Sequence, residues 1–292
     1  MKTKDILLAV LITMIWGINF SFIKLGLNTL DPFMITAIRF TLTAFPLVFF
    51  IKRPDVEFKY LISYGFLFGV GVWGMTTLGI YYGISAGIAS LLIQMSVFFA
   101  ILLGIIFLKE NVNKTQIIGF TIAIVGIGLI ATVTDGSISV VGFILVLVGA
   151  LFMSIVSLIV KKANTSDMFS FLVWSSLFSI VPLFLLSYLT QGESAFIDFY
   201  TNIDDKAIFS IFFIVYPTTL FGYWVWNSLL QKYPISSVAP LALFVPFFGL
   251  LGSYIIFNEQ LGFIKIVASV LIILGLIINT FGNKIIKVFR KE

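Results

Sequence analysis

The sequence predicts an all-α membrane protein of ten transmembrane helices, arranged as two inverted five-helix repeats. The first observation behind this is a run of 49 residues between Lys59 and Lys109 without one charged side chain. A helix needs roughly 20 apolar residues to cross the hydrocarbon of a bilayer, so this run holds two crossings. The second is composition. Hydrophobic residues make up 60% of the 292-residue chain and charged residues 11%, and the mean hydropathy of +1.14 is far above that of a soluble domain. The third is an internal repeat whose unit holds an odd number of helices.

Within hydrocarbon the backbone satisfies its own hydrogen bonds only as a helix or a closed barrel, and long apolar runs without alternation mean helices. The first helix, 6–26, follows Lys2, Lys4 and Asp5, and the second, 32–51, ends before Lys52 and Arg53. The third and fourth, 60–81 and 86–108, divide the uncharged run. The fifth, 115–133, follows Lys114, and the sixth, 139–160, stops at Lys161 and Lys162. The seventh, 168–190, follows Asp167, and the eighth, 207–230, lies between Lys206 and Lys232. The ninth and tenth, 238–258 and 262–283, complete the set. The longest connection, 191–206, carries Glu193, Asp198, Asp204 and Asp205 and is too short for an inserted domain.

Counting crossings places Lys2, Lys4, Lys52, Arg53, Lys59, Lys109, Lys114, Lys161, Lys162, Lys232, Lys284, Lys287, Arg290 and Lys291 on one side. The other side keeps Lys24, Lys206 and Lys265. Basic loops stay in the cytoplasm, so a multi-pass protein of the cell membrane with both termini inside is expected. The basic tail is then a retention signal, and the expected partners are the lipid bilayer and a small-molecule substrate, not nucleic acid. Lys2 and Lys4 ahead of an apolar run resemble a signal peptide, but no small-residue cleavage site follows, so the first helix is expected to stay. Cysteine and histidine are both absent. That removes disulfides, imidazole metal sites and Cys–His or Ser–His nucleophilic chemistry, and no catalytic residue, metal or cofactor is expected.

A shift of 149 residues lays the second half on the first: Phe98 and Phe99 meet Phe247 and Phe248, Leu102 meets Leu251, Glu110 meets Glu259, and Gly126 meets Gly275. Nearer the start a shift of 136 aligns Asp31 with Asp167, Phe33 with Phe169, and Pro46 with Pro182. The expected repeats are 1–134 and 135–292. Five helices per repeat give the halves opposite orientation. Two inverted bundles rocking about a site near the midplane are how many secondary transporters alternate access. An intramembrane enzyme would instead need an acidic cluster for Mg²⁺ or a nucleophile–base pair, and the sequence offers neither.

Trp16-Gly17-Ile18-Asn19-Phe20, Pro32 followed by Arg39, and Ala86-Gly87-Ile88-Ala89-Ser90-Leu91 resemble motifs of the EamA family, in the drug/metabolite transporter superfamily. Phe107-Leu108-Lys109-Glu110 and Ile256-Phe257-Asn258-Glu259 fit the same pattern, so the likeness spans the chain. Within that family the chain is most similar to O-acetylserine/cysteine exporters. The details shared are Leu91-Leu92-Ile93-Gln94 running into Phe98-Phe99, Gly222-Tyr223 with Trp226, and Val238-Ala239-Pro240-Leu241 with Val245-Pro246. Asn227 departs from the small residue of that pattern. The resemblance implies export of small amino-acid-type metabolites. Efflux of drugs or aromatic metabolites is the alternative, and proton antiport and facilitated efflux both remain open.

Candidate substrate contacts follow from polar groups placed deep in apolar helices. Arg39 inside helix 2 costs about 2.5–3.5 kcal/mol there, so it faces protein or water and binds either a substrate carboxylate or freed backbone carbonyls. Gln94, mid-helix 4, has donors and an acceptor suited to an amino acid backbone, the alternative being an interhelical hydrogen bond. Ser96, about 200° round the helix, reads as structural glue. Tyr223, Trp226 and Asn227 share one face of helix 8 and line a cavity or anchor at the interface. Trp16 and Asn19 lie near the centre of helix 1, and Trp73 either closes the cavity or, the favoured reading, only packs. Glu110 and Glu259 end their helices, where capping of the following helix is favoured over gating.

Overall fold

The computed structural model describes residues 1–109, 113–260 and 262–289, so Glu110 lies outside the described residues. Within them, ten helices are long and apolar enough to cross a membrane. Helices 1 to 5 are Thr3–Gly26, Pro32–Phe49, Phe58–Tyr81, Ala86–Phe107 and Lys114–Ala131. Helices 6 to 10 are Val140–Ala163, Met168–Gln191, Asp205–Lys232, Ala239–Phe257 and Phe263–Gly282.

Side chains fix several of the starts. Asp31 accepts from the Phe33 and Met34 amides at 2.9 and 2.8 Å, with Pro32 at the first position of helix 2. Asp167, its repeat partner, accepts from Ser170 N at 3.0 Å at the start of helix 7. The two aligned aspartates therefore do the same work, satisfying amides that the first turn leaves free. Ser85, Ser139 and Asp204 cap helices 4, 6 and 8 in the same way.

One expectation is corrected. Helix 2 is α-helical only to Ala44, because Phe45 turns extended ahead of Pro46 and the chain continues as a tight turn at Leu47–Phe49. Within connection 191–206, Ser194–Asn202 forms a short helix that buries Ala195 and sets Phe196 against Phe184.

The two repeats share local irregularities. Helix 3 widens into π-type turns over Leu67–Gly74, and helix 8 does so over Ile214–Phe221, where Pro217 withholds an amide from the ladder. Helices 4 and 9 tighten at Ile93–Met95 and Ala239–Leu243. Both then end on a left-handed residue, Lys109 (φ 54°) and Asn258 (φ 50°).

Packing across the halves is pairwise symmetric. Helix 1 lies on helices 8 and 9 as helix 6 lies on helices 3 and 4. Helix 2 meets helix 7 and helix 5 meets helix 10. The last pair touches backbone to backbone. A Cβ on Gly119 would lie 2.6 Å from Gly275 O, and one on Gly275 2.5 Å from Gly119 O. Small residues allow that approach where no hydrophobic force drives helices together. Phe20, Phe40, Phe68, Leu91 and Phe171 are buried in the core that the halves share.

Candidate functional site

A cavity of about 430 Å³ lies where the halves meet, and all seven residues singled out as substrate contacts line it: Trp16, Asn19, Arg39, Gln94, Tyr223, Trp226 and Asn227. Its lining comes from the middle of helices 1, 2 and 4 and from the terminal-side halves of helices 3, 6, 8 and 9. Val160 and Met168, which flank the connection of helices 6 and 7, belong to the lining too. The cavity therefore runs from the midplane toward the side that carries the chain termini.

On the opposite side helices 1, 4 and 9 press together. Gly249 leaves its backbone against Ser90, and Gly87 faces Leu250 and Ser253.

Arg39 is 1% exposed. Its Nε donates to Thr219 Oγ1 at 3.0 Å, and Thr219 in turn donates to Ile214 O at 2.7 Å, five residues back. The wide turn around Pro217 thus supplies the hydroxyl that receives the guanidinium. The plane of Arg39 stands 4.0 Å from the Trp73 ring centroid, a cation–π contact. Nη2 of Arg39 has no partner among the described residues.

Trp16 donates from Nε1 to Thr218 O at 3.0 Å and packs against Tyr223 and Trp226 at centroid distances of 5.3 and 5.1 Å. Those three rings form one wall. Asn19 is fully buried with neither amide atom paired among the described residues, and Asn227 Nδ2, Thr218 Oγ1 and Trp73 Nε1 are likewise unpaired among them. Unpaired buried polar atoms cost roughly 1–3 kcal/mol each. Their residues all line the cavity, so these atoms are free to pair with water or a polar solute there.

One geometric expectation changes. Ser96 lines the same cavity as Gln94, because the tight turn at Ile93–Met95 breaks the regular 100° step that separated them. Trp73 also lines the cavity and carries the Arg39 guanidinium on its ring face. Sequence reading missed Tyr64, Phe68 and Thr218, which also line the cavity. A threonine pair directly after a proline inside a membrane span was the available signal, since hydroxyls take over freed backbone groups there.

Glu259 takes part in a buried charged cluster at the end of helix 9. Its carboxylate accepts from Ser253 Oγ and lies 3.5 Å from Lys265 Nζ. Lys265, 1% exposed, also reaches Asp135 at 2.8 Å and Gln260 O at 3.0 Å. This cluster lies on the side away from the termini and joins the connection between the repeats to helices 9 and 10. Burial alone raises the Asp135 carboxyl, but hydrogen bonds from Lys265 and Ser137 bring it down to about 2.

Two inverted five-helix halves around a cavity at their interface define the class, a multi-pass membrane transporter of the inverted-repeat kind. The profile of the EamA-like transporter family matches residues 3–132 and 140–281, and the chain belongs to that family. It is 35% identical to a "Probable amino-acid metabolite efflux pump" of Escherichia coli (strain K12), over 97% of this chain and 96% of that one. A protein of the same name from Salmonella typhimurium (strain LT2) is 34% identical, over 99% of each. A solved crystal structure covers 98% of this chain and 100% of its own with a TM-score of 0.63 and 13% identity, a likeness of fold.

Proposed function

We propose that this transporter exports small amino-acid-type metabolites of the O-acetylserine and cysteine kind from the cytoplasm by alternating access. One observation carries the reading. The cavity between the halves gathers a buried cation, a set of unpaired amide, hydroxyl and indole groups, and an aromatic wall. Its volume is at the small end of the roughly 300–1,000 Å³ of small-molecule pockets, which suits an amino acid better than a bulky toxicant. The names of the two bacterial relatives support the same substrate class.

The termini lie in the cytoplasm of a cell-membrane protein in this reading, so the described conformation is loaded from inside. Helix 1 moves with helices 8 and 9, and helix 6 with helices 3 and 4, as their packing suggests. The repeats 1–134 and 135–292 supply the two symmetric units. Gln94 and Ser96 from the first half and Tyr223, Trp226 and Asn227 from the second grip opposite ends of the solute. Arg39 takes the carboxylate.

Overproduction in a cysteine-producing bacterial strain tests this, with metabolites measured in the medium. Increased secretion of O-acetylserine or cysteine is expected. Gln94→Ala should reduce it several-fold at equal protein level, in line with a lost hydrogen bond of about 1 kcal/mol. Unchanged secretion together with new resistance to bulky aromatic compounds would move the function to drug efflux.

A further inference from the structure

The cavity is charged on one side only. Arg39 is its one cation among the described residues, and none of the described residues lining it is Asp or Glu. Among the described residues the guanidinium donates one hydrogen bond, to the neutral hydroxyl of Thr219, and the remaining compensation is the face of Trp73. Nη2 is unpaired, as are both amide atoms of Asn19 and the indole N–H of Trp73. These are three buried residues at 1%, 0% and 7% exposure, and three of their four unpaired polar atoms are N–H donors. Such a set receives an anion.

An ammonium group entering with that anion finds no carboxylate. It meets the neutral acceptors of Asn19, Thr218 and Gln94 and the rings of Trp16, Tyr223 and Trp226, and it remains close to Arg39, which repels it. A monoanion neutralises the site, whereas a zwitterion leaves its net charge unchanged. Resting on the amino-acid-type reading above, we infer that the site selects its substrates by the carboxylate and does not require the amino group. Small 2-hydroxy acids are then substrates of the same carrier as the amino acids.

Three probes of one carbon skeleton separate the possibilities: 2-aminobutanoate, 2-hydroxybutanoate and 2-aminobutan-1-ol. Binding to the purified full-length protein is read by calorimetry and by quenching of the tryptophans that line the cavity. The hydroxy acid is expected to bind as tightly as the amino acid, within about threefold, or more tightly. The amino alcohol, which lacks the carboxylate, is expected to bind roughly tenfold to hundredfold more weakly. Arg39→Gln should abolish this ranking by weakening only the two acids. If that variant fails to fold, Arg39→Lys, which keeps the charge and loses the planar fork, should preserve the ranking at lower affinity.

The outcomes divide cleanly. An amino acid that binds more than about tenfold tighter than the hydroxy acid overturns this inference and leaves the amino-acid reading standing. A hydroxy acid that binds while the amino acid does not supports carboxylate selection and overturns the amino-acid reading. Preference for the amino alcohol, or silence from all three probes, overturns both.

Discussion

Replacing Gly17 with alanine adds one methyl group at a close helix crossing, and the structure sets the size of the effect. A Cβ there would lie 2.5 Å from Val245 O, 2.6 Å from Phe248 Cβ and 2.7 Å from Gly249 N. Ordinary contact begins at 3.4 Å, so helices 1 and 9 must part by about 0.9 Å. The obstructing atoms are backbone and a Cβ, which cannot rotate away. Overpacking of this kind costs about 1–3 kcal/mol, offset by the roughly 0.5–1 kcal/mol that alanine gains over glycine in a helix. A net loss of about 1–2 kcal/mol lowers the melting temperature of a chain this size by about 2–6 °C. The same change at Gly128 is the internal control, because a Cβ there meets nothing within 4 Å. Gly128→Ala is expected to raise the melting temperature by about 1–3 °C through helix propensity alone. Thermal unfolding of the purified proteins in one detergent measures both. Gly17→Ala melting at or above the wild type would refute the close approach of helices 1 and 9 as the reason for glycine there.

Impermeant maleimide added to intact cells should label Glu193→Cys and spare Ser166→Cys, both clean single sites in a chain without cysteine. The reverse pattern overturns the cytoplasmic placement of the termini. Lys265→Met should destabilise by about 3 kcal/mol, because removing one partner from a buried pair leaves Glu259, 8% exposed, without its cation. A melting temperature equal to the wild type would show the cluster to be dispensable. Because the Asp135 carboxyl is held down to about 2, its contribution is complete above the ordinary aspartate value near 3.9 and fades only as pH falls toward 2. Its ion pair with Lys265 should accordingly survive from pH 8 to pH 4.5, and a chemical shift of that carboxyl moving within this window would contradict the assignment.

What the chain alone determines follows from the bilayer. Hydrocarbon permits no unpaired backbone, so ten apolar runs must be ten helices, and their charged ends and aligned aspartates mark where each begins. Five helices per repeat make inversion a matter of counting. Even the depth of Arg39, Asn19 and Gln94 is legible, because a polar group in the middle of an apolar run has to face protein or water. Tertiary structure decides the rest, since it depends on departures from the regular helix that no periodicity records. The tight turn at Ile93–Met95 brings Ser96 to the same cavity as Gln94, and the wide turn at Pro217 places the Thr219 hydroxyl under Arg39. Lys265 looks from sequence like a stray basic residue on the sparse side, yet it is buried between Asp135 and Glu259. These partners lie 130 and 6 residues away along the chain, and only the packing of helix 10 against the connection between the repeats brings all three charges within reach.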